Sequence, residues 1–318
     1  MRVLVTGMGG EIGTRVAQML EAQPEVTEIL GMDFVPPRRR LHRSMFKRID
    51  PRERDRLVSA VLDFAPQAVA HCGVYEPEAR MSSELAGVRS EACAVAALGA
   101  AARAGALERV ALRSSLTVYG RGPGHARVPD EHSLVAPTTP YGRSCVAVEA
   151  LAADLARRHG FAVAAMRFAP VVGPHMPSPL GRVLRLPAVP VPAFADPAIS
   201  LVSLSDSAQA LVAALMMRFD GPLNVAAPGS VTPWQAARLG GRVPVPVFGP
   251  GWAAARTAAE FLGAPIPAHV QEALRFGRSA DTSRLRDLGI VFGKTTRDIC
   301  AELYDWGSVV PIRPGVAA

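Results

Sequence analysis

Thr6-Gly7-Met8-Gly9-Gly10-Glu11-Ile12-Gly13 follows the apolar run Val3-Leu4-Val5 and opens an amphipathic run from Glu11 to Glu21. A strand, a glycine turn and a helix start in that order make an anion site, because the first N–H groups of a helix have no internal partner and face a positive dipole end. At this spacing Gly7 permits a tight turn, Gly10 lets the backbone approach a pyrophosphate, and Gly13 lets the helix pack close to the strand. Asp33 stands about twenty residues beyond Gly13, at the end of the next apolar run, Val26 to Met32. A carboxylate there accepts from both ribose hydroxyls of an adenosine half. The residues therefore imply a nicotinamide dinucleotide, NAD. Arg38-Arg39-Arg40 lie close by and could accommodate a 2′-phosphate, which keeps NADP as the alternative.

The elements that must hold this turn can be read from the apolar periodicity. Strands are expected at 3–5, 26–32, 45–49, 68–70, 109–112 and 161–168. Helices are expected at 11–21, 52–64, 83–103 and 141–158. Such alternation implies an α/β fold, a Rossmann-type doubly wound parallel sheet covered on both faces. Residues 174–197 contain Pro174, Pro177, Pro179, Pro187, Pro190, Pro192 and Pro197 and read as an ordered loop. A strand and helix return over 199–217. The expected division is a dinucleotide-binding domain at 1–173, to which 199–218 returns, and a smaller C-terminal substrate-binding lobe from 174–198 and 219–318.

Composition narrows the function. Apolar residues make up 49% of 318, enough for a sizeable core. No window reads as a membrane span, and no export signal is visible. Cys72, Cys93, Cys145 and Cys300 are scattered without a C-x-x-C pair, so neither zinc nor a disulfide framework is expected. His71, His125, His132 and His175 show no metal spacing. A reduced, cytoplasmic enzyme with a small-molecule substrate fits these features. The net charge of +7 is almost all arginine, concentrated between Arg38 and Arg56, with Phe46 as its one aromatic neighbour. That run reads as a solvated connection and helix face, not as a nucleic-acid surface.

The glycine motif and the segments after it resemble the extended short-chain dehydrogenase/reductase family, which includes UDP-galactose 4-epimerase and nucleotide-sugar dehydratases. Beyond T-G-x-x-G-x-x-G, the resemblance rests on His71-Cys72-Gly73-Val74, Arg113 to Gly120, Tyr141-Gly142-Arg143-Ser144-Cys145, Arg167 to Pro174, Ser203 to Ala208 and Asp281 to Gly289. It implies that Gly7, Gly10, Glu11, Ile12, Gly13, Asp33, Asp50, Cys72, Gly73, Val74 and Tyr141 hold the cofactor, with Asp50 beside the adenine. It also implies Ser115 and Tyr141 as the catalytic pair. Ser115 would bond the substrate oxygen, and Tyr141 would act as acid or base at the carbon that exchanges hydride. A homodimer through the helix at 83–104 and the helix carrying Tyr141 is a further implication.

Three departures bear on activity. The family's lysine four residues after the tyrosine is Cys145 here. A cation ~4 Å away is worth up to about 4 kcal/mol at an effective dielectric near 20, roughly three pKa units on a phenol that starts near ~10. A thiol supplies none of this, so Tyr141 is expected to stay protonated, a poor base but an adequate proton donor. The only lysines are Lys47 and Lys294, and Arg167 is the more plausible stand-in. Pro170 replaces an asparagine usual in epimerases, and Ala198-Ile199-Ser200-Leu201 lacks an arginine for a diphosphate. Three readings follow. One is an NAD(P)-dependent oxidoreductase or epimerase with an altered site, its substrate a nucleotide sugar. Another is a reductase of a lipid-like or other non-nucleotide carbonyl. The third is a non-catalytic cofactor-binding regulator.

Overall fold

A computed structural model describes residues 1–122, 124–174 and 176–305; His175 lies outside the described residues. In chain order the elements begin β1 (Arg2–Thr6), α1 (Glu11–Glu21), β2 (Glu28–Asp33), β3 (Ser44–Arg48), α2 (Arg54–Phe64), β4 (Ala68–His71), α3 (Ser83–Arg103) and β5 (Arg109–Ser115). After a short 3-10 turn at Leu116–Tyr119 come α4 (Pro140–His159), β6 (Ala162–Phe168), β7 (Val171–Val172), α5 (Pro179–Leu184), β8 (Ala188–Pro192), β9 (Val202–Ser203) and α6 (Leu204–Met216). The chain continues with β10 (Gly221–Val225), α7 (Pro233–Leu239), β11 (Val243–Val247), α8 (Gly251–Phe261), α9 (Ala268–Phe276), α10 (Ser283–Asp287) and α11 (Thr296–Asp305).

Seven parallel strands form the main sheet in the order β10-β6-β5-β4-β1-β2-β3. Val3, Leu4, Val5, Val69, Ala111 and Leu112 are fully buried, as expected of central strands covered by helices on both faces. The strand order turns around at β1, with β2 on one side and β4 on the other. A crevice opens there outside the carboxyl ends of the strands, the position where such sheets bind ligands.

The structure corrects the sequence reading in three places. The proline-rich stretch is not simply loop, since it contains α5 and β8. β8 pairs in parallel with β11, another proline-alternating strand. The bonds run from the Val243 N–H to the Pro187 carbonyl and from the Ala193 N–H to the Val247 carbonyl. Pro190 and Pro192 therefore share the phase that does not donate to the partner, and both strands of a two-stranded sheet are edges, where proline is tolerated. Next, 219–318 does not lie wholly outside the first domain. β10 completes the main sheet, and Leu285, Ile290 and Phe292 join its core. A separate apolar core gathers α5, β8, α7, α9 and α11. Finally, α3 is long and apolar enough to cross a membrane by length and composition, although the sequence reading found no such window. Its alanines are packed inside the protein, with Ala94, Ala97, Ala100 and Ala101 fully covered.

Candidate active site

The glycine turn sits where β1 meets α1. Gly7 takes φ +66°, and Gly10 is the N-cap of α1 with no side-chain cap. A Cβ on Gly13 would clash with the Gly7 carbonyl oxygen, so the fold itself excludes any larger residue there. Gly10 differs. A Cβ there would meet only the Gly7 oxygen, at 3.4 Å. Nothing in the protein demands glycine at this position, and the open space faces the crevice. That cradle suits a pyrophosphate at a helix N-terminus.

Gly7, Gly10, Glu11, Ile12, Gly13, Asp33, Arg38, Cys72 and Val74 line the same cleft. Asp33 is 2% exposed and accepts from the N–H groups of Gly9 (3.0 Å) and Phe34 (2.7 Å) and from the Tyr75 hydroxyl (3.3 Å). Burial raises its pKa against these donors. These donors occupy most of the carboxylate's acceptor sites, leaving less room than the two ribose hydroxyls expected from the sequence would need. The donor set fits a dinucleotide. Gly73 does not line the cleft; its N–H reaches back to Thr6 Oγ1 at 3.3 Å. Asp50 also stands apart from it. Its carboxylate is held by Arg52 at 2.9 Å and Arg89 at 3.1 Å, which keeps it well below the usual carboxylate range.

Ser115, at the carboxyl end of β5, and Tyr141, in the first turn of α4, line a second cavity of about 30 Å³. Thr139 caps that helix by accepting from the Gly142 N–H at 3.2 Å. Its apolar walls include Phe168, Pro170, Val171, Leu180, Val270 and Ala273, with Arg278 beside them. That volume is small for a substrate. Two polar contacts bridge neighbouring elements. His269 on α9 meets Glu76 at 3.1 Å, and Arg182 on α5 meets Glu78 at 3.3 Å. The Tyr141 and His269 rings lie 4.9 Å apart.

Tyr141 is 5% exposed and Cys145 is completely buried. Burial is the main force that raises the Tyr141 pKa far above a free phenol; Cys145 and Glu76 add to it, and Arg113 opposes it. Burial likewise pushes the Cys145 thiol up to about 12, so it is a neutral packing group. Arg167 is not the missing cation. Its guanidinium is spent on Glu149, at 2.7 and 3.1 Å, and on the Tyr119 hydroxyl at 2.9 Å. Lys47 is exposed on edge strand β3, and Lys294 pairs with Glu302 on α11.

The sequence missed Glu76, Arg113 and His269. Arg113 donates to the Val74 carbonyl at 3.1 Å and to Glu76 at 3.2 Å. Both Arg113 and Glu76 line the Ser115–Tyr141 cavity and the glycine-lined cleft, so they stand at the junction of the two. The one signal available was an arginine two residues before Ser115, a spacing that puts both on one face of a strand.

A glycine-cradled cleft at the strand reversal, joined to a tyrosine-serine cavity, defines a dinucleotide-type α/β architecture. The chain belongs to the NAD dependent epimerase/dehydratase family, whose pattern matches residues 3–221. It is 30% identical to uncharacterized proteins of Mycobacterium tuberculosis (strain ATCC 25618 / H37Rv) and Mycobacterium bovis, over 98% of this chain and 85% of each of theirs. Among solved structures it is similar to the UDP-glucose 4-epimerase of Thermus thermophilus in complex with NAD, with TM-score 0.73 and 23% identity over 96% of this chain and 98% of that one. The UDP-glucuronic acid 4-epimerase of Bacillus cereus, in complex with UDP-glucuronic acid and NAD, gives the same TM-score at 18% identity with the same coverage.

Proposed function

We propose that this protein is an NAD-dependent oxidoreductase or epimerase that exchanges hydride at a carbon held between Ser115 and Tyr141. The observation that carries the reading is the junction. Ser115 and Tyr141 line one cavity, and that cavity shares Glu76 and Arg113 with the cleft that Gly7, Gly10, Gly13 and Asp33 line. Those cleft residues would hold NAD, which when bound supplies a hydride acceptor or donor. Ser115 would bond the reacting oxygen; in the reducing direction Tyr141, kept neutral by burial, would deliver its proton, and in the oxidising direction its ionised form would take the hydroxyl proton as hydride leaves for NAD. The solved relatives are epimerases of UDP-sugars by name, so a nucleotide sugar is the first substrate class. The apolar wall formed by Phe168, Pro170, Val171, Leu180, Val270 and Ala273 favours a second class, a non-nucleotide carbonyl compound reduced with NADH.

The test is calorimetric titration with NAD, NADH and NADP, followed by turnover assays with UDP-sugars and with apolar ketones. We expect NAD to bind and Tyr141→Phe to lower turnover by ~10²-fold or more without changing NAD affinity. Turnover indifferent to Tyr141→Phe overturns the assignment. Cofactor binding without turnover on either class identifies a regulatory protein instead. We further propose that α3 and α4 pair with those of a second copy. Val88 and Val95, 50% and 48% exposed, lie two helical turns apart on α3; sedimentation velocity of Val88→Glu/Val95→Glu, expected to be monomeric, checks this.

A further inference from the structure

The helix that carries Tyr141 supplies no cation. Tyr141, Cys145 and Glu149 are spaced four apart and share one helix face. The last of these is an acid already bound to Arg167. Positive charge for the cavity must come from another element, and two arginines line it. Arg278, fully buried, spends its guanidinium on Glu272 at 2.6 Å and on the Leu116 carbonyl at 3.3 Å. Arg113, on β5, lines both the cavity and the cleft, bonded to the Val74 carbonyl and to one oxygen of Glu76. The other oxygen of Glu76 is taken by His269. Glu76 is therefore shared, and it offsets Arg113 less completely than Glu149 offsets Arg167.

We propose that Arg113 is a positioning residue that takes over the lysine's electrostatic task, stabilising the anionic phenol of Tyr141 from the strand side instead of the helix side. The proposal rests on Tyr141 being the proton-transfer group. An arginine can hold charge but cannot relay a proton at neutral pH. The charged and titratable groups around the phenol are Arg113 on β5, Glu76 after β4, His269 on α9, Arg278 with its partner Glu272, and Cys145 on its own helix. Arg113 lines the same cavity as the phenol, and its charge favours ionisation there. The sequence departure at Cys145 and the arginine at 113 then form a single relocation of charge.

The experiment places a fluorinated tyrosine, which ionises more readily, at position 141 of the full-length protein. Its ionisation midpoint is followed by ¹⁹F NMR without cofactor or substrate. Arg113→Gln should raise the midpoint by about one to two pH units, the size expected for a unit charge ~6–8 Å away at an effective dielectric near 20. Arg113→Lys should leave it within a few tenths of a unit, and Arg113→Gln/Cys145→Lys should bring it back down. Where Arg113→Gln does not fold, Arg113→Met keeps the aliphatic stem and serves in its place. A folded neutral variant with an unchanged midpoint overturns the proposal. This readout needs no turnover. Loss of the Tyr141 assignment would show in the Tyr141→Phe assay, whereas loss of the Arg113 role would show only here.

Discussion

The two ends of the site are built from different materials. The cofactor end is made of backbone, with a glycine turn, the start of α1 and a carboxylate held largely by N–H groups. The reaction end is made of side chains that meet from β5, α4, α9 and the loop after β4. Backbone sites tolerate wide variation in sequence, provided a few glycines keep their spacing. Side-chain sites can move a charge from one element to another and keep the same cavity. The role proposed for Arg113 is such a move, at the reaction end.

The largest effect expected from breaking the reaction end lies in its support. Glu149 holds Arg167 through two bonds, and both side chains are nearly buried. Removing one partner leaves the other charge uncompensated, at a cost of about 3–5 kcal/mol. Urea unfolding of Arg167→Gln should show a loss of this size, whereas Glu149→Gln/Arg167→Met should recover part of it. The folded fraction of Arg167→Gln should still bind NAD, because no part of that network touches the glycine turn.

A somewhat smaller effect marks the seam between the two ends. His71, the last residue of β4, is fully covered and lies 2.8 Å from Thr6 Oγ1 through Nδ1. Burial lowers its pKa to about 4 from the ordinary 6.5. In that window the unfolded chain binds a proton that the folded chain refuses. Stability is therefore full above pH 6.5 and falls as pH drops toward 4, by about 3 kcal/mol in total. Chemical denaturation at about pH 7, 5.5 and 4.5 should trace this slope, and His71→Gln should flatten it. A wild-type protein equally stable at the two ends of that range would show that His71 is protonated without cost.

This contrast also explains what the sequence could reveal. The glycine turn and Asp33 are local, since each residue's role depends on a strand and a helix next to it in the chain. Six of the seven main strands follow from apolar runs; β10 was not read as one of them, because Gly221-Pro222 hides a short strand behind turn residues. β8 was lost for a similar reason, as proline alternation conceals a parallel pair. Ser115 and Tyr141, which line one cavity, were named by resemblance. Glu76, Arg113 and His269 were not, because ion pairs such as Glu76–His269 join residues far apart in the chain. The absence of a lysine was visible in one line of sequence; its replacement required the fold.

The smallest effects sharpen the comparison most, because two glycines of one turn should behave oppositely. Gly13→Ala would force a Cβ into the Gly7 carbonyl and within 2.8 Å of the Met8 Cα. We expect a loss of about 1–3 kcal/mol, with NAD binding lost as the helix is pushed off the strand. Gly10→Ala meets a single atom at ordinary contact distance, and its φ of −74° suits any residue. Its stability should stay within about 0.5 kcal/mol of wild type, while NAD affinity falls by tenfold or more because the methyl group fills the cradle. Thermal melts with and without NAD separate the two. Wild type and Gly13→Ala should differ in both conditions, whereas Gly10→Ala should match wild type without NAD and lose the ligand-induced rise in Tm. If Gly10→Ala keeps that rise, the cradle does not hold the pyrophosphate, and the cofactor end is less purely a backbone site than its geometry indicates.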